Sequence, residues 1–123
     1  MCVPYLEEGI AVVETEVQPA FEEIWKSVTG TETPEYRIYI WGSTVQEKDR
    51  IPNDVDIIIE CDETVANGQI GSIEGWLKDE VTPEGFPEGI DPIISTPEKT
   101  ADLVANSRVS RIYEVGCGWK TFE

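Results

Sequence analysis

The chain has 123 residues and a formal net charge of −16, from 25 acidic and 9 basic side chains, with three cysteines and no histidine. That length makes one domain around a single core, and the charge disfavours nonspecific nucleic-acid binding, which depends on lysine and arginine meeting phosphate. Without histidine there is no Ser-His-Asp or Cys-His catalysis, and Cys2, Cys61 and Cys117, widely spaced with no CxxC pair, read as reduced thiols in a cytoplasmic protein rather than as a zinc site.

The apolar fraction of 40% and the readable periodicities point to a folded chain rather than a disordered acidic one. Dense carboxylates keep a surface hydrated and non-associating where salt screens their repulsion, so a high-salt cytoplasm is expected, with a basic partner as the alternative. The start MCVPYLEEGI has no basic segment or long apolar core and is not expected to be a signal peptide. No window reaches the length of a membrane span, so no membrane partner is expected.

In chain order, Leu6, Ile10, Val13 and Val17 recur at helical spacing, followed by Phe21, Ile24, Trp25 and Val28. Pro19 suits a first turn, so 5–17 and 19–29 are predicted to be two amphipathic helices or one interrupted helix. A loop over 30–34 leads into a strand at 36–41. There Gly42 allows a turn without a Cβ clash, and Ser43 can cap a short helix whose backbone N–H groups would form an anion site. With ten residues between, Ser43 is followed by Asp54-Val55-Asp56, opening a second strand that runs to Cys61. Alternate side chains of a strand share a face, so Asp54 and Asp56 point one way and Val55 and Ile57 the other. The unbroken Ile57-Ile58-Ile59 predicts burial on both faces, in the middle of a sheet. Two carboxylates on one face need solvent or a cation, and a hard divalent ion takes oxygen ligands of this kind.

Farther on, Ile73, Trp76, Leu77 and Val81 predict a helix with Lys78 on its outer side, closed by Pro83. The loop 82–89 carries Phe86, which is expected to anchor the loop to the core, with stacking on a nucleotide base as the alternative. A third strand is predicted around Asp91-Pro92-Ile93-Ile94; Pro92 limits ladder hydrogen bonding and places it at a sheet edge or beside a bulge. Pro97 opens a helix over 97–106, and 108–123 reads as a final strand or hairpin around Gly116-Cys117-Gly118. The expected fold is a single-domain α/β (α+β) layer structure over 1–123, a mixed sheet with helices packed against it.

Gly42-Ser43, a gap of ten, then Asp54-Val55-Asp56-Ile57 resembles the signature of the DNA polymerase beta-like nucleotidyltransferase superfamily, and within it the minimal nucleotidyltransferases. The resemblance implies that Asp54, Asp56 and a third carboxylate, for which Asp91 is the candidate, act as catalytic and metal-binding residues holding two Mg2+ ions. It also implies that Gly42 and Ser43 bind the phosphates of an NTP, with Lys48 and Arg50 as neighbouring nucleotide-binding cations. The implied activity is transfer of a nucleoside monophosphate, AMP from ATP, to a protein or RNA hydroxyl. Minimal members follow Gly-Ser with a small residue, an arginine and a glycine; here Gln46 and Glu47 occupy the arginine and glycine positions. A catalytically impaired binding protein, such as the antitoxin of a toxin-antitoxin pair, and a structural or assembly protein of a halophilic virus or mobile element are therefore open alternatives. In each case a protein partner is expected.

Overall fold

A computed structural model describes residues 5–42, 53–62, 67–106 and 111–121. The chain begins with α1 (Leu6–Val12), passes through a π-helical turn (Val13–Val17) and continues as α2 (Gln18–Thr29) without leaving helical geometry. The interrupted-helix alternative is therefore the one the chain adopts. Pro19 has no N–H to return to the preceding turn, and the wider turn absorbs this, with the Gln18 N–H donating to Val13 O. Both flanking stretches keep their apolar stripe on one side: Val13, Val17, Phe21, Ile24 and Trp25 are all buried. Gly30, with φ 74°, ends the helix and donates its N–H to Lys26 O.

Among the described residues five strands follow: β1 (Tyr36–Trp41), β2 (Asp54–Cys61), β3 (Gly89–Ser95), β4 (Arg111–Glu114) and β5 (Gly118–Thr121), in the spatial order β3-β2-β1-β4-β5. β1 pairs antiparallel with β2 and β4, β4 and β5 form the terminal hairpin, and β2 pairs parallel with β3 across the crossover helix α3 (Asn67–Glu80). The sheet is thus mixed, and α4 (Pro97–Asn106) follows β3.

The strand period of two sorts β2 between two layers. Val55, Ile57 and Ile59 join the main core with Phe21, Ile24 and Trp25 of α2 and Ile73 and Leu77 of α3. Ile58 faces the other way and forms a smaller cluster with Tyr39, Ile112 and Val104 of α4. All three isoleucines are fully buried, as their unbroken run predicts. β3 is an edge strand, as expected from Pro92, and its Ile94 N–H is met at 2.8 Å by Oε2 of Glu74 from α3.

Three details differ from the sequence expectations or decide between them. Trp76 is 45% exposed instead of packing with Ile73 and Leu77, and its Nε1 donates to Glu80 at 3.3 Å. Phe86 is 2% exposed within the main core, which settles its role as a loop anchor and removes base stacking. Cys61 is buried and Cys117 exposed, neither in a disulfide; Cys2 lies outside the described residues. Among the described residues no helix is long and apolar enough to cross a membrane.

Phe21 ties the helical layer to the sheet, with its ring 5.7 Å from that of Trp25 and 4.9 Å from that of Tyr36. Truncating such a buried aromatic leaves a cavity as well as losing transfer free energy. Phe21→Ala is expected to lower unfolding free energy by about 3–5 kcal/mol, read from the shift of the urea midpoint at fixed salt.

Candidate metal centre

Asp54 and Asp56 open β2, and alternation puts both on the face opposite Val55 and Ile57. In the parallel β2–β3 ladder Asp54 stands opposite Gly89 and Asp56 opposite Asp91, so the third carboxylate arrives on the same face at the same level. Each of the three offers a carboxylate oxygen, and these oxygens lie within 4.8 Å of one another. Asp54 and Asp56 are half-buried and Asp91 is exposed, leaving the cluster open to solvent on one side.

Gly42 bounds the cluster from the other neighbour strand. In the antiparallel β1–β2 ladder Trp41 stands opposite Asp56, so the residue leaving β1 meets that carboxylate. Gly42 has φ 72°, and a Cβ there would collide with Asp56 Oδ2 and approach its Cγ to 3.1 Å. Glycine is required at this position twice over, for the left-handed turn and for the space. Trp41 Nε1 is buried with no hydrogen-bond partner among the described residues. Ser43, Lys48 and Arg50, together with Gln46, Glu47 and the predicted capping helix, lie outside the described residues.

On the far side of Asp54, the loop between α3 and β3 is fastened to the start of β2 by the Glu88 N–H, which donates to Asn53 O at 2.8 Å. Within it, the Gly89 N–H donates to Phe86 O at 2.9 Å. Glu88 and Lys78 come close enough to act electrostatically on Asp54. Neither was singled out as a site residue in the sequence, because only the sheet register brings them to the carboxylates.

Crowding like charges in a partly desolvated place favours protonation. The Asp56 carboxyl is pushed up to about 7, chiefly by burial, then by the charges of Asp54 and Asp91, and by a hydrogen bond to Asp91. Asp54 is raised as well, by burial first and then by Asp91 and Glu88, with Lys78 opposing them. Three convergent oxygen donors, one of them reluctant to ionise beside the others, fit a hard divalent cation: its charge would remove the repulsion and it takes carboxylate oxygens. The described part of the site is thus a candidate metal-binding triad consistent with a nucleotidyltransferase-like fold.

In comparisons with protein-family models, curated proteins and solved structures, nothing matches this chain, so the functional reading rests on its own residues and geometry.

Two outcomes test the triad. Because the Asp56 pKa is raised on folding, from 3.8 to about 7, the folded state keeps a proton that the unfolded chain releases between those values. In chelator, stability is therefore expected to fall as pH rises through that window and to level off above it. Asp56→Asn should flatten the profile, and Mg2+ added at the alkaline end should restore the urea midpoint of the wild type alone. Gly42→Ala, at a backbone angle costing a Cβ-bearing residue about 1–2 kcal/mol, should also displace the Asp56 carboxylate. Mn2+ affinity, measured by calorimetry, is expected to fall at least tenfold.

Proposed function

We propose that this chain is a metal-dependent nucleotidyltransferase, a single minimal domain over 1–123 of the DNA polymerase beta-like type. It would transfer a nucleoside monophosphate, AMP from ATP, to a protein or RNA hydroxyl. The observation that carries this reading is the convergence of Asp54, Asp56 and Asp91 beside a glycine turn that must stay free of a side chain. The Gly-Ser-x10-Asp-x-Asp spacing supports it from the sequence.

On this reading Asp54, Asp56 and Asp91 hold the divalent ions, two Mg2+ being expected. Bound there, the metal would supply charge neutralisation for the triphosphate and for the departing pyrophosphate. The chain's own groups divide the remaining work. Gly42 gives the Asp56 carboxylate its place, and Gly42, Ser43, Lys48 and Arg50 are the proposed binders of the β and γ phosphates. Asp91, the exposed member, would take the proton of the acceptor hydroxyl as its oxygen bonds to the α-phosphorus and pyrophosphate leaves on the opposite side. The excess of acidic side chains suits a protein acceptor better than a polyanionic one, and it suits a salt-rich cytoplasm.

A second reading has its own observation. Gln46 and Glu47 put a neutral amide and an extra anion in the stretch that would face the triphosphate. A protein that keeps the fold and binds a partner, like an antitoxin, without turnover would tolerate that change.

The deciding assay incubates the protein and a host-cell extract with ATP labelled at the α-phosphate. Magnesium-dependent label on an acceptor, reduced at least a hundredfold in Asp54→Ala, is the expected outcome. A tight partner complex formed equally by wild type and Asp54→Ala, with no label transferred, would replace the enzyme by the binding protein.

A further inference from the structure

A cavity of about 210 Å³ opens between the end of α3 and the loop that leads into β3. Its apolar lining comes from Val81, Pro83, Phe86 and Pro87, with Lys78 and Glu88 contributing opposite charges. Gly89 completes the wall and stands opposite Asp54 in the sheet.

The frame around this space is built rather than incidental. Val81 and Phe86 are each 2% exposed and belong to the main core. The Phe86 N–H donates to Pro83 O, the Gly89 N–H to Phe86 O and the Glu88 N–H to Asn53 O. Gly89 has φ 77°, and a Cβ there would stand 3.3 Å from Val81 O.

Charge usage identifies the kind of occupant. Lys26, Arg37 and Lys120 are held in ion pairs with Glu32, with Glu60 and Asp62, and with Glu114. Like Lys99 and the exposed helix glutamates, Lys78 and Glu88 have no such partner among the described residues; what sets these two apart is that opposite charges line one small space. A purely anionic ligand would meet Glu88, and a purely cationic one would meet Lys78. A molecule carrying both charges satisfies both side chains. The volume lies below the roughly 300–1,000 Å³ of pockets for drug-sized ligands, which restricts the occupant to a small molecule.

We propose that the cavity between α3 and β3 binds a small zwitterion of the α-amino-acid class, with its carboxylate on Lys78, its ammonium on Glu88 and an apolar side chain against Pro83, Phe86 and Pro87. Binding itself does not depend on nucleotidyl transfer. Only the ligand's role rests on that reading, under which the site holds the body of an acceptor beside Asp54.

The test uses the whole chain without metal or nucleotide and three probes that share one branched alkyl group. L-Leucine carries both charges, 3-methylbutylamine only the ammonium and 4-methylpentanoate only the carboxylate. Titrations followed by amide NMR are expected to shift Lys78, Val81, Glu88 and Gly89 with L-leucine, and each single-charge probe should bind about tenfold more weakly. Lys78→Met should weaken L-leucine about tenfold and leave the amine unchanged; Glu88→Gln should weaken L-leucine and leave the acid unchanged. Both positions are exposed, so the variants are expected to fold. Equal binding of all three probes, shifts centred elsewhere, or no saturable shift would overturn the proposal. Asp54→Asn, read by Mn2+ affinity, separates the two hypotheses: it should lose the metal and keep L-leucine, and the opposite pattern in Lys78→Met would leave the metal centre intact.

Discussion

The parallel pairing of β2 with β3 is the constraint on which the site depends. A ladder that places Asp56 opposite Asp91 brings like charges together, which electrostatics alone opposes. Apolar burial on the same two strands holds the register. Val55, Ile57 and Ile59 of β2 and Ile90 and Ile94 of β3 lie in the main core, and a fully buried aliphatic side chain contributes about 1.5–3 kcal/mol. Two full charges as close as 4.8 Å would repel by roughly 3–4 kcal/mol at an effective dielectric near 20, and the proton that Asp56 tends to keep, with solvent at Asp91, lowers that. The core therefore wins, and a slip of one residue would turn the isoleucines out of it. The charged face is carried by the apolar one.

The same accounting explains how so acidic a chain keeps a folded sheet. Glu7, Glu8, Glu14, Glu16, Glu22 and Glu23 are exposed along the first helical layer, where water and ions screen them. Acids that enter the sheet are treated differently. Glu60, 5% exposed, meets Arg37 at 3.4 Å, and Glu114, 6% exposed, meets Lys120 at 2.6 Å. Lys120 also lies 5.7 Å from the centroid of the Tyr39 ring. Cations sit on the buried acids, whereas the three aspartates converge on one another, with Lys78 acting on Asp54. Their clustering is not a by-product of overall acidity, since acids elsewhere in the sheet are paired.

Legibility in the sequence followed the range of the interactions. Strand alternation is local, so the outward Asp54 and Asp56, the inward Val55 and Ile57 and the buried isoleucine run could be read directly. Asp91 could be found because a lone acid flanked by strand formers is a local pattern, and Pro92 marked the edge correctly. The helix 97–106 was legible from Pro97 and its apolar spacing. Trp76 was misread because helical spacing alone counted it as apolar stripe, whereas its indole lies outside the core with Nε1 on Glu80. The π-helical turn left no period of its own: Pro19 forces it, but only the packing of Val13 and Val17 beside Phe21 shows that the helix continues. Lys78 and Glu88 had no local signal, being brought to Asp54 by a crossover helix and a loop fastened to Asn53.

Gly42 shows most directly how sequence spacing becomes chemistry. A Gly-Ser pair is a weak signal alone, since any turn can use it. What gives it weight is the antiparallel register that ends β1 opposite Asp56, so that the first residue beyond the strand faces a carboxylate. Any side chain there would push that carboxylate away, and the left-handed φ of 72° would add backbone cost. A glycine demanded only by a turn would leave its Cβ direction in open space, as Gly30 and Gly116 do despite their positive φ. At Gly42 the space is claimed by Asp56 itself. The turn and the triad are therefore one construction, in which the Asp56 carboxylate occupies the volume that a side chain at residue 42 would take.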